Sequence, residues 1–196
     1  VDKSRAIKLL DYIRQKAKQI FFHFECRAEF ISDELAKAFS KINCSLQIGL
    51  QSASEEVLKT VNRSFNKKDF IKKISILNNY GIIFGFDLIY GLPKDNYEGF
   101  KNSIDFAISL YPNHIELFCL SVLPGTLLYD DANKLSLKYN THPPYHVIES
   151  DTFSKVEIEK ARKISIACNF FYSQGRAVTW FNSLIHLLKI KPSAFF

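Results

Sequence analysis

The chain predicts an α/β fold with about four parallel strands joined by crossover helices, and three observations carry that expectation. Apolar or aromatic strand segments recur near 20–26, 45–50, 82–90 and 114–121, each followed by a stretch with helical periodicity. The gaps between them exceed the dozen or so residues that a parallel crossover needs, whereas a hairpin would need only a few. The 196 residues are 47% hydrophobic and 14% aromatic, enough to bury one sizeable core. Four strands are few for a closed barrel, so the expected architecture is a partial (β/α) barrel with a helical C-terminal extension.

Each element has a local reason. Residues 4–19 read as an amphipathic helix headed by Ser4, with Ala6, Leu10, Ile13 and Ala17 on one face. The aromatic run 20–26 follows as a strand. Ser32 then heads a second helix, with Asp33 and Glu34 in its first turn. Residues 45–50 form a short strand, and Ser52 with Glu55 makes a capping-box pattern for a brief helix. Asn66 and Asp69 offer another start, with Phe70, Ile74 and Leu77 inward. The strand at 81–90 holds one carboxylate, Asp87, in an apolar run that ends in the turn Gly91-Leu92-Pro93. A helix over 96–110 and a strand over 114–120 complete the alternation. Beyond 121, residues 137–150 look irregular, and helices are expected over 154–170 and 178–190.

Composition narrows the function classes. The formal charge is +6 and the pI about 9.0, but the lysines are dispersed over helices, so a solvated basic surface is preferred to a nucleic-acid footprint. Cys26, Cys44, Cys119 and Cys168 match no local zinc or iron–sulfur spacing and are read as small core residues in a reducing, cytoplasmic setting. No signal peptide and no apolar run of transmembrane length is present, which points away from a membrane. His23, His114, His142 and His146 lack the spaced partners of a metal set. The start at Val1 and the lack of methionine suggest part of a longer chain.

Polar residues gather near the carboxyl ends of the strands: Glu25 on the first, Gln51 and Ser52 on the second, Asp87 on the third and Ser121 on the fourth. That end of a β/α fold is where ligand-binding side chains sit. An unpaired carboxylate buried at Asp87 would be costly, so it needs partners or an open strand end. Arg63 can return over the same rim and clamp a carboxylate with its planar guanidinium. Helix capping or surface ion pairing accounts for any one of these residues equally well. For Gly91 the alternative role is the turn before Pro93 alone.

Read together, Ile48-Gly49-Leu50-Gln51-Ser52, Val57-Leu58, Asn62-Arg63 and Asp87 through Pro93 resemble the later half of a radical S-adenosylmethionine (SAM) barrel. The pattern is shared with anaerobic coproporphyrinogen dehydrogenases and methylthiotransferases. It most resembles the cobalamin-binding-domain group that includes the anaerobic magnesium-protoporphyrin monomethyl ester oxidative cyclase. Phe118 through Thr126, Pro143-Pro144-Tyr145, and the late segment with Tyr172, Gly175 and Arg176 extend the resemblance over about 20–180. It implies a division into residues 1–126, the later half of the barrel, and 127–196, the irregular segment and helical extension. It also implies that Glu25 meets the amino group of the methionine moiety, and that Gln51 and Arg63 hold its carboxylate. Asp87 would take the ribose hydroxyls, with Ser52 and Gly91 in the same cofactor-binding set.

The resemblance implies SAM and a [4Fe–4S] cluster as cofactors, and cobalamin through an absent N-terminal domain. Three clustered cysteines hold such a cluster in the family, and no such triplet occurs in this sequence. The chain is therefore read as a fragment of a radical SAM enzyme, inactive alone and with its catalytic residues unassigned. Its expected partners are the absent N-terminal barrel half, an electron donor and a small-molecule substrate, tetrapyrrole-like by resemblance. A half-open sheet would expose an edge, which offers a route to dimerisation. The competing readings are a non-catalytic α/β binding module derived from the fold, and part of an RNA-modifying methylthiotransferase.

Overall fold

A computed structural model describes residues 2–196. Helices and strands alternate in the order α1 (Lys3–Lys16), β1 (Phe22–Cys26), α2 (Asp33–Phe39), β2 (Cys44–Gln51), α3 (Glu55–Thr60), α4 (Lys67–Asn79), β3 (Ile83–Tyr90), α5 (Tyr97–Ile108) and β4 (His114–Cys119). The four strands form one sheet in the order β1-β2-β3-β4, and every pairing is parallel. This is the α/β partial-barrel class the sequence predicts.

The two faces of the sheet differ in chemistry because side chains alternate along a strand. Leu46, Ile48, Leu50, Phe84, Phe86, Leu88 and Ile115 are buried on one face, in a single core with Phe70, Ile74 and Leu77 of α4 and Phe100, Ile104 and Ala107 of α5. The opposite face carries Glu25, Gln47, Gly49, Asp87, His114 and Glu116 in adjoining registers. A sheet covered by helices on both faces would read as apolar throughout. This one presents a polar inner face.

The sheet's two edges are also unlike. At β4 the outer edge is closed by side chains: Ser173 Oγ accepts from Ile115 N at 3.0 Å and donates to Ile115 O at 2.9 Å, and Ser165 Oγ donates to Leu117 O at 2.7 Å. Capping the free backbone groups in this way prevents further strand pairing there. Along β1, no strand among the described residues pairs with the outer edge. The half-open sheet is therefore open on the β1 side alone.

The later residues build a cover over β4. α6 (Leu127–Asp130) leads to a two-stranded antiparallel pair, β5 (Lys138–Tyr139) and β6 (Val147–Glu149), then to α7 (Lys155–Cys168), α8 (Phe181–Leu188) and α9 (Pro192–Phe195). The two helices expected over 154–170 and 178–190 are α7 and α8, and a π-helical turn over Asn169–Gln174 follows α7 directly. It turns Tyr172 fully inward, where its hydroxyl donates to Pro112 O at 2.8 Å just before β4.

Several local expectations are corrected. Asp2, not Ser4, caps α1, by accepting from Arg5 N. Ser54, not Ser52, caps α3, because the chain needs two more residues to leave β2 before turning. The segment 137–150 contains the β5–β6 pair, whose strands are too short to show periodicity. Ser32 and Asn66 cap α2 and α4 as predicted.

Asp95, in the loop between β3 and α5, is only 3% exposed, and its Oδ2 has no hydrogen-bond partner. Burial pushes its carboxyl up to about 6, against the opposing effect of the Asn96 N–H that Oδ1 accepts. An acid whose folded pKa is raised binds its proton more tightly when folded, so stability falls as pH rises from about 4 to 6. Asp95→Asn is expected to stabilise the fold by about 1–2 kcal/mol at pH 7.5 and by only about a third of that at pH 4.5. Urea denaturation at the two pH values checks this; an equal effect at both would show that charge burial is not the cause.

Candidate functional site

The inner face of the sheet and the open flank of β1 border a groove of about 460 Å³. Four of the predicted binding residues line it together: Glu25 from β1, Gln51 from the end of β2, Asp87 from β3, and Arg63 from the loop after α3. Gln47 and Gly49 of β2 form its floor, and Leu9 of α1 and Phe30 add apolar wall.

Gln51 is the most unusual residue in the groove. The register between β2 and β3 shifts between Gly49 and Gln51, and Gln51 takes the left-handed conformation with φ 66°. That conformation is uncommon for a residue other than glycine and is often kept for function. Its Oε1 is buried without a hydrogen-bond partner, although buried acceptors are nearly always satisfied. The atom is poised to accept from a ligand N–H or O–H. Gly49 makes this packing possible: a Cβ there would lie 2.5 Å from Gln51 Nε2 and 3.3 Å from Arg63 Nη1. Arg63 Nη1 donates to Gly49 O at 3.2 Å, which leaves donors of its fork for a ligand oxyanion.

Asp87 lies in mid-strand rather than at the strand end, in register with Gly49 and Glu116. Burial raises its carboxyl above the usual range; the hydrogen bond from Gln47 lowers it, Glu116 and Glu25 raise it, and His114 lowers it. The partner that the sequence demanded for this carboxylate is Gln47, whose Nε2 donates to Asp87 Oδ1 at 2.5 Å. Gln47 Oε1 accepts from His114 Nε2 at 2.5 Å.

Ser52 and Gly91 do not join the others. Ser52 is fully buried, its Oγ 3.4 Å from Ser103 Oγ and accepting from Ser54 N at 3.2 Å. It ties the β2–α3 loop to α5. Gly91 has φ +83°, and a side chain there would collide with Val147, so it serves the turn and the packing of β6. Ser121 forms an isolated antiparallel bridge with His146.

A second cavity, of about 500 Å³, adjoins the groove across Gln51 and Arg63. Ile89, Leu92, Leu120, Leu127 and Leu128 give it largely apolar walls.

Gln47 was not among the residues predicted from sequence. Its signal was the strict alternation Ser45, Gln47, Gly49, Gln51 against Cys44, Leu46, Ile48, Leu50, which marks a central strand with one polar face.

The cofactors implied by the sequence resemblance fit unequally. The groove supplies an unpaired acceptor, a guanidinium and two carboxylates, matching the ammonium, carboxylate and ribose hydroxyls of SAM. The residues present do not fit an iron–sulfur cluster. Among the described residues no three His, Cys, Asp or Glu side chains gather as a metal site. Burial pushes the thiols of Cys44 and Cys119 up to about 11 and that of Cys168 up to about 12, so they are protonated at neutral pH. Among the described residues no helix is long and apolar enough to cross a membrane.

Comparison with known proteins places these features. The chain is 25% identical over 135 residues to the heme chaperone HemW of Buchnera aphidicola subsp. Schizaphis graminum, covering 69% of this chain and 35% of the relative. It is 26% identical over 175 residues to the oxygen-independent coproporphyrinogen III oxidase of Helicobacter pylori strain J99, covering 76% and 38%. The chain thus spans little more than a third of the length of these relatives. Among solved structures, the radical S-adenosylmethionine methyltransferase TsrM from Kitasatospora setae, with cobalamin and a [4Fe–4S] cluster bound, shares the fold. Its TM-score is 0.61 at 16% identity, covering 81% of this chain and 35% of TsrM. The Radical SAM superfamily pattern matches residues 2–107, which include β1 to β3 and all four residues brought together in the groove, and the chain belongs to that superfamily.

Proposed function

We propose that this chain forms part of the SAM-binding wall of a radical SAM enzyme, with the groove at β1–β3 holding the cofactor. The observation that carries this is the unpaired, buried Oε1 of Gln51 beside Arg63, in the same groove as Glu25 and Asp87. Glu25 and Gln51 Oε1 accept from the methionine ammonium, Arg63 and the Gln51 amide donate to its carboxylate, and Asp87 accepts from the ribose hydroxyls. SAM is the radical precursor of this superfamily. The chain's own residues bind and orient it, and the cluster ligands are supplied by residues outside this sequence, where a cobalamin domain would also lie.

The adjoining apolar cavity suits the substrate, because a ligand there meets the SAM groove across Gln51 and Arg63. The names of the relatives, a heme chaperone and a coproporphyrinogen oxidase, favour a tetrapyrrole-like substrate, which includes the magnesium-protoporphyrin-type reading. Calorimetric titration of the cluster-reconstituted parent enzyme with SAM tests the cofactor role, and saturable binding is expected. Absence of binding, or SAM cleavage by the 196-residue chain alone under reducing conditions, would overturn this reading.

A further inference from the structure

We propose that Gln47 and His114 are positioning residues for Asp87, forming a relay across three strands that aims its carboxylate at the ribose hydroxyls and couples nucleoside binding to the imidazole. The inference rests on the proposed SAM site and adds to it two residues that the site itself does not require.

The polarity of the relay is forced. An ionised carboxylate only accepts, so the Gln47 amide must turn its nitrogen to Asp87 and its oxygen to His114. His114 must then carry a proton on Nε2, and neutral His114 is the Nε2–H tautomer. The backbone is arranged for this contact. His114, Gly85 and Gln47 stand side by side on β4, β3 and β2, and a Cβ at Gly85 would overlap the His114 ring. Glycine at that register lets the imidazole lie across β3 and reach the amide.

Gln47 is 6% exposed, so deleting either partner strands a buried polar atom instead of releasing it to water. The fixed amide therefore restrains Asp87 more tightly than a solvated partner would. His23, held by Ser45 Oγ at 2.7 Å, packs its ring 6.4 Å from that of His114. The charged and titratable groups facing the relay are His23 and Glu25 from β1, Asp87 from β3, Glu116 from β4 and Arg63 from the loop after α3.

Burial and the neighbouring His23 hold His114 below the usual imidazole range, partly offset by Asp87. As pH falls, a proton gained by His114 adds a positive charge that keeps Asp87 ionised. Removing the imidazole should make binding fail at a higher pH.

The test compares S-adenosylhomocysteine with its 2′-deoxy analogue by calorimetry on the reconstituted parent enzyme between pH 5.5 and 8. The tautomer of His114 is read from imidazole nitrogen shifts. Gln47→Met keeps volume but neither donates nor accepts; it should weaken S-adenosylhomocysteine about 10-fold and reduce the discrimination against the deoxy analogue. His114→Gln keeps a donor that cannot titrate. It should retain affinity at pH 8 and fail at a higher pH than the parent as pH falls. A neutral Nδ1–H tautomer, or variants with unchanged affinity and pH profile, would overturn the relay. If the parent binds neither compound, the SAM-site reading fails instead, and the tautomer with its response to Gln47→Met still decides the relay. If Gln47→Met does not fold, His114→Gln carries the test.

Discussion

Replacing Arg63 with alanine is expected to weaken SAM binding roughly 10- to 100-fold while moving the thermal midpoint by only a few degrees. The guanidinium gives one hydrogen bond to the protein, to Gly49 O at 3.2 Å, and it lines both cavities. A charge-assisted, forked contact to a carboxylate is worth about 1.5–3 kcal/mol, and 1.4 kcal/mol is tenfold in affinity. The fold loses at most about 1 kcal/mol, the worth of an ordinary internal hydrogen bond. Arg63→Lys should recover only part of the affinity, because an ammonium cannot present two parallel donors. Calorimetry with SAM and a thermal melt on the same sample separate the two effects. Unchanged affinity in Arg63→Ala would remove Arg63 from the site, and a large loss of stability would make it a structural residue.

Phe181→Ala is expected to cost about 3–5 kcal/mol and to lower the unfolding midpoint of the whole chain in one transition. Phe181 is fully buried at the start of α8, edge-on to Tyr172 at 5.3 Å and to Phe195 at 5.2 Å, and stacked on Phe196 at 5.3 Å. Tyr172 is tied to Pro112 O, so the cluster is mechanically joined to β4. The buried residues on both sides of position 126 belong to one hydrophobic cluster. The extension should therefore melt together with the sheet rather than as a separate unit. Denaturant unfolding followed by tryptophan fluorescence and by far-UV circular dichroism checks this. Coincident curves are the expected result; two separated transitions would make 1–126 and 127–196 independent folding units.

Much of this was legible from local chemistry. The alternation of strand and helix patterns implied parallel pairing, since each crossover is too long for a hairpin, and β1 to β4 all pair in parallel. Ser32 and Asn66 could be recognised as caps because a cap is a contact over three residues. Ser52 was misread because its true partner, Ser103, lies 51 positions away. Glu25, Gln51, Arg63 and Asp87 were identifiable as polar residues at or near strand ends, and the fold brings all four to one groove. For Gln47 the alternation along β2 marked only a polar face, and neither its partners nor those of His114 can be told until the neighbours on the adjoining strands are known.

The sequence by itself determined the α/β class, the parallel order of elements and the polar residues that mark the site. Those follow from side-chain period, turn chemistry and crossover length, which act over a few residues to a few tens. Only the tertiary structure decided which polar residues face one another. It made one face of the sheet polar, closed the β4 edge with Ser165 and Ser173, left Gln51 Oε1 unpaired, and gave Asp87 its partner in Gln47. The bond from Gln47 to Asp87 spans 40 positions and exists only through the register of β2 against β3, which no local pattern encodes.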